Sequence, residues 1–174
     1  VLFHEIGHVV AEKNGLIEEF RDRRMFPGKV QDSAFQLVEE IFADLFCFHY
    51  LFNEEMDAFR AYWIKYFVYQ RIVSKLDFSY YFMRLFCVYL FSKKAFAGDV
   101  DLAEYYSEFL QTCKPDLQRE SEDNELSAVM IEKITGPLEG RVPETMQGDE
   151  LKNLPDVVRI AGHYAALLDG KRQK

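Results

Sequence analysis

Residues 4 to 8 read His-Glu-Ile-Gly-His, an H-E-x-x-H pattern. On a helix, positions i and i+4 stand about 40° apart around the axis, so His4 and His8 present their imidazoles to one point. Zinc takes such nitrogen ligands, and a catalytic zinc keeps a further position open for water. Glu5 flanks both histidines and can reach that water without being a ligand. As general base it would take the proton that the metal makes acidic. A chain of 174 residues meets this pattern by accident roughly once in a few hundred, judged from average composition. The metal reading therefore leads.

A third protein ligand is required. His49 and His163 are the only other histidines, and the better candidate is Glu40, in Glu39-Glu40-Ile41-Phe42-Ala43-Asp44. Glu40 and Asp44 are i and i+4 and share a face. Glu40 would bind the metal, and Asp44 would accept the free N–H of a ligand histidine and fix its tautomer. Ala43 is small enough to let this helix cross the His4–His8 helix closely. With Glu40 at 0°, the apolar residues Leu37, Ile41, Phe42, Leu45, Phe46 and Phe48 fill an arc of about 60° to 240°. Glu40 and Asp44 sit at its margin, where a partly buried site would be. His49 lies about 180° from Glu40 and cannot share its site. Glu39, at the far margin, is the alternative ligand, and solvated helix acids are the bland reading of all three.

His4-Glu5-Ile6-Gly7-His8 followed by Glu40-x-x-x-Asp44 resembles the gluzincin metallopeptidases. The short spacing looks most like the ImmA/IrrE-type group of small bacterial and phage peptidases, whose third ligand follows in a Glu-x-x-Ala segment, matched here by Glu40-Ile41-Phe42-Ala43. The resemblance covers about residues 1 to 50. It implies a zinc peptidase, and some members of the group cleave repressor proteins. The group often has Asn where this chain has Asp44. It also implies a strand-rich segment before the motif, so a chain that opens at Val1 with its motif at residue 4 reads as a fragment or a processed piece.

Other residues carry weaker signals. A donor is needed to steady the oxyanion of a tetrahedral intermediate. His163 is the first candidate, followed by Tyr80, Tyr81, Tyr105 and Tyr106, although packing or exposure is the commoner role of such residues. The stripe Phe59, Tyr62, Trp63, Tyr66, Phe67 and Tyr69 could line a substrate groove but reads first as helix-packing core. Arg21, Asp22, Arg23 and Arg24 form a charged loop between the two motifs.

The elements that must position these residues read as helix after helix: a mainly α, zincin-like metallopeptidase core with additional C-terminal helices, its upstream sheet missing. Leu2 to Lys13 forms the active-site helix, closed by Asn14-Gly15. Ser33 can cap a Glu-ligand helix, 33–52. Asn53 caps the next, Glu54 to Ser74. Asp77 or Ser79 begins another, ending near Gly98, and Asp99 starts one that runs to about Cys113. Lys114-Pro115 breaks the pattern, so 1–113 is the core and 114–124 an acidic linker. Residues 125–174 hold a short helix, Glu125 to Ile134, a Gly/Pro-rich loop over 136–150, and a last helix, about Pro155 to Leu168. Strands are conceivable only in 16–31 or 136–150.

The net charge of −8 argues against nucleic acid and anionic membrane as partners and leaves a protein or peptide substrate open. Phe78 to Phe91, interrupted by Arg84, is too short and too charged for a span, which needs about 20 apolar residues. The three cysteines, Cys47, Cys87 and Cys113, have no metal-type spacing and read as buried thiols of a reducing, cytoplasmic compartment. The expected activity is metal-dependent peptide hydrolysis with Zn2+ as cofactor. One alternative is a non-catalytic helical interaction module that retains the zinc site. Another is a metallohydrolase acting on a non-peptide amide. The intact Glu5 favours catalysis, because a purely structural zinc site has no use for a base there.

Overall fold

The computed structural model describes residues 2–16, 18, 31–74, 78–95, 101–124 and 157–162. They are mainly α-helical, and no strand occurs among them. Helix α1 spans Leu2–Lys13, α2 Gln31–Tyr50, α3 Met56–Ser74, α4 Phe78–Ser92 and α5 Leu102–Asp123. Residues 157–162 are also helical. The expected helix Glu125 to Ile134, the 136–150 loop and the charged loop at Arg21, Asp22, Arg23 and Arg24 lie outside the described residues.

Helix α1 turns its small residues inward. Its large apolar residues Leu2, Phe3, Ile6 and Val9 are exposed, whereas Gly7 and Ala11 are buried. The packed stripe is therefore His4, Gly7, His8 and Ala11, one helical face of small and ligand-type residues. A Cβ built on Gly7 would lie 2.7 Å from Ala43 Cα and 3.1 Å from Ala43 Cβ. Glycine at 7 and alanine at 43 are thus what allow α1 and α2 to cross so closely. At the end of α1, Gly15 takes the left-handed φ of 65° expected of the Asn14-Gly15 pair, and Leu16 behind it is fully buried.

Helix α2 lies between α1 and α4 and is buried along 41–48. It begins and ends two residues before the expected 33–52. The chain reverses because Leu51 N and Phe52 N both donate to Cys47 O, while Asn53 and Glu54 adopt φ of 49° and 62°. Asn53 therefore belongs to the close of α2 and does not cap α3, which starts only at Met56. Helix α4 stops at Ser92, not near Gly98. Lys94 N donates to Phe91 O and Ala95 N to Leu90 O, with Lys94 at φ 53°. This double bond is a Schellman-type end built on a lysine, which a search for glycine overlooks.

The larger correction concerns 114–124. These residues are no linker: α5 continues through Pro115 to Asp123. It starts at Leu102, where Asp101 Oδ1 accepts from Ala103 N and Glu104 N at 3.0 and 3.2 Å. The proline removes one helical hydrogen bond, a local cost of about 3 kcal/mol. Burial of the apolar Leu117 offsets it, together with the Arg60 Nε–Asp116 Oδ2 contact of 2.7 Å that joins α3 to α5. Helices α3, α4 and α5 pack on one another around an aromatic core in which Phe82, Phe86 and Phe109 are fully buried. No helix among the described residues is long and apolar enough to cross a membrane.

Candidate metal centre

The close α1–α2 crossing brings the two sequence motifs together. His4 Nε2 and His8 Nε2 are 3.1 Å apart. Glu40 Oε2 is 3.2 Å from His4 Nε2, and Glu40 Oε1 is 3.6 Å from His8 Nε2. Bonds of about 2.0–2.1 Å around a tetrahedral ion give ligand-to-ligand edges of about 3.3 Å. The three observed edges bracket that value, the two at Glu40 ending on different carboxylate oxygens, so His4, His8 and Glu40 lie close enough together to hold a metal ion. They also form the one group of metal-ligand type among the described residues. Glu39, the alternative ligand, is not part of it.

Asp44 is 1% exposed. Its Oδ1 lies 3.0 Å from His4 Nδ1, but out of line, so this buried nitrogen has no aligned hydrogen-bond partner. What the sequence reading missed is Arg84. It appeared only as an interruption of an apolar run, yet it is 4% exposed and stands inside the site. Its Nε and Nη2 each donate to an Asp44 carboxylate oxygen at 2.8 Å, and Nη1 lies 2.6 Å from Glu40 Oε2. A signal existed: a lone arginine on an otherwise buried helix needs a buried counter-charge, and α2 carries Asp44 in a similarly apolar run.

These neighbours set the electrostatics. Burial alone would raise the carboxyl of Asp44, but the Arg84 guanidinium and His4 outweigh it and hold Asp44 below the usual carboxylate range. Glu40 is held low in the same way: burial is overcome by the His4 hydrogen bond and the Arg84 charge. Burial also opposes a charge on His4, yet Asp44 and Glu40 push its pKa up to about 9. Arg84 and Asp44 cancel each other, which leaves Glu40 as the counter-charge to His4.

Glu5 is exposed and lines a cavity of about 200 Å³ together with His4, Glu40 and Arg84. Of the aromatic stripe, Phe59 and Phe67 are buried core and Tyr69 is 61% exposed. Tyr62, Trp63 and Tyr66 line the cavity. Among the candidates whose side chains are described, Tyr81 lines it too, whereas Tyr106 is buried against Phe86 and Phe109. Tyr105 does not line it, and His163 lies outside the described residues. His49 pairs with Glu54 at 2.8 Å, away from the centre. Cys47, Cys87 and Cys113 are all buried free thiols.

Comparison with protein-family models, with curated proteins and with solved structures gave no match. The functional reading rests on the residues themselves.

Proposed function

We propose that this chain carries the metal centre of a zinc-dependent metallopeptidase that hydrolyses a peptide bond of a protein or peptide. The observation that carries the reading is the set of edges of 3.1, 3.2 and 3.6 Å among His4, His8 and Glu40, with Glu5 on the adjoining cavity. A bound zinc would supply Lewis acidity and lower the pKa of a water in its open position. His4, His8 and Glu40 would hold it. Asp44, fixed by two hydrogen bonds from Arg84, places its charge 3.0 Å from His4 Nδ1, where a small turn of the ring would let it accept that N–H. Arg84 also holds one oxygen of Glu40, so a single guanidinium orients both acids. Glu5 takes the proton of the attacking water and hands it to the leaving amine.

Metal analysis after dialysis should find about one zinc per chain, lost in His8→Ala and strongly weakened in Glu40→Ala, but not in Glu39→Ala. Glu5→Gln should retain zinc and helicity while lowering hydrolysis about 10²–10⁴-fold, because the amide cannot accept the proton. Equal hydrolysis by Glu5→Gln and the parent would refute the mechanism, and a chain that takes up no zinc would refute the site.

A further inference from the structure

The cavity beside the candidate centre has a composition that general-base chemistry does not require. Beyond the polar group of His4, Glu5, Glu40 and Arg84, its wall is mostly aromatic: Phe52, Phe59, Tyr62, Trp63, Tyr66 and Tyr81, with Cys47 and Leu51. The two regions meet at Trp63. Its ring centroid lies 6.0 Å from that of His4 in edge-to-face arrangement, and Arg84 Cζ stands 5.4 Å above it. The wall is supported by further ring contacts: Phe52 to Phe59 at 5.2 Å, Phe52 to Tyr62 at 5.4 Å and Trp63 to Tyr66 at 5.4 Å. Within it, Phe59 is fully buried and Trp63 is 6% exposed, so this side of the cavity is a fixed part of the core.

Size and chemistry together select an occupant. A closed apolar cavity of about 150 Å³ accepts benzene. At about 200 Å³ this one holds a single ring with its first carbons, and it is smaller than the roughly 300–1,000 Å³ of pockets that enclose a whole small molecule. Its more open rings, Tyr62 and Tyr66 among them, offer edges and faces to another ring, a preference beyond simple area burial. Because the cavity starts at His4 and Glu5, an occupant inside it belongs to a residue next to the bond being attacked. Successive residues of an extended chain are only about 3.3–3.6 Å apart along the strand.

We propose that this cavity is a specificity pocket for one aromatic side chain, flanking the scissile bond of a peptide substrate, with Trp63 as its contact at the junction with the metal centre. The substrate class rests on the metallopeptidase reading, but the pocket can be tested without it. Trp63 is the single tryptophan of the chain, so its fluorescence reports occupancy without zinc or turnover. Titration of the Glu5→Gln protein with N-acetyl-phenylalaninamide should change that fluorescence saturably. N-acetyl-alaninamide should bind roughly 10- to 100-fold more weakly, the difference expected from burying a Phe side chain. Tyr66→Ala and Tyr62→Ala, both at partly exposed positions, should each narrow that ratio while keeping the helical circular dichroism. Equal binding of the two probes, or no response of Trp63 to either, overturns the pocket. A matched pair of peptides differing only in the flanking residue then separates the two ideas. Hydrolysis with no preference for Phe leaves the peptidase standing and removes the pocket. Saturable binding of the Phe probe by a chain that hydrolyses neither peptide keeps the pocket and removes the peptidase.

Discussion

Replacing Gly7 by alanine sets two effects of opposite sign against each other. Alanine is the better helix former by about 1 kcal/mol, so local propensity makes the change stabilising. The new Cβ, however, would sit 2.7 Å from the Ala43 Cα, whereas non-bonded carbons rest at about 3.5–4.0 Å. The obstacle is backbone, so no side-chain rotation relieves it, and α1 must move off α2 by roughly 1 Å. Overpacking of this kind costs about 1–3 kcal/mol, which outweighs propensity, so Gly7→Ala should be destabilising. The consequence for the centre is sharper. His4 and His8 ride on α1 and Glu40 on α2, at separations of 3.2 and 3.6 Å. Widening both by about 1 Å exceeds the edge of about 3.3 Å that a tetrahedral zinc can span. Zinc affinity, read by competition with a chromophoric chelator, should fall by at least the roughly 10–100-fold typical of a disturbed ligand set. Ala43→Gly added to Gly7→Ala removes only the 3.1 Å contact with the Ala43 Cβ and should rescue in part, since the nearer Cα stays. A Gly7→Ala protein that is more stable than its parent and binds zinc equally well would refute the close-crossing argument.

Arg84→Met should destabilise the fold by about 3–5 kcal/mol in urea denaturation, because it leaves the buried Asp44 carboxylate without its guanidinium. Adding Asp44→Asn should return part of that loss, and purely additive effects would deny the coupling. In chelator-treated protein the pKa of His4 is raised to about 9 from 6.5. Its contribution to stability is then full below about 6.5 and disappears as pH rises through about 9, so denaturation midpoints should decline over that window and not in His4→Gln. Zinc uptake near neutral pH should likewise release about one proton, measurable by calorimetry in buffers of different ionisation enthalpy. Pro115→Ala, at an exposed position inside α5, should restore a helical hydrogen bond and stabilise by about 1–3 kcal/mol. A destabilised variant would mean that the proline has a packing role.

The local signals proved readable where chemistry and covalent geometry act within a few residues. The i, i+4 spacing of His4 and His8 and of Glu40 and Asp44, the helical wheel that set Glu40 and not Glu39 on the side of the histidines, the small Ala43 and the Asn14-Gly15 stop all follow from helix geometry alone. The mainly helical class followed from the same periodicity. Other features depended on partners far along the chain. Arg84 looks like a flaw in an apolar helix until α4 sets it 2.8 Å from Asp44, forty positions away. Pro115 reads as a breaker because the burial of Leu117 and the Arg60–Asp116 pair that carry the helix past it are decided by α3. Helix α1 turns its small residues inward and leaves Leu2, Ile6 and Val9 exposed, because close packing on Ala43 requires Gly7 there. Helix geometry is set by neighbours in sequence. Which face is buried, and which charge meets which, is set by what the other helices place opposite it.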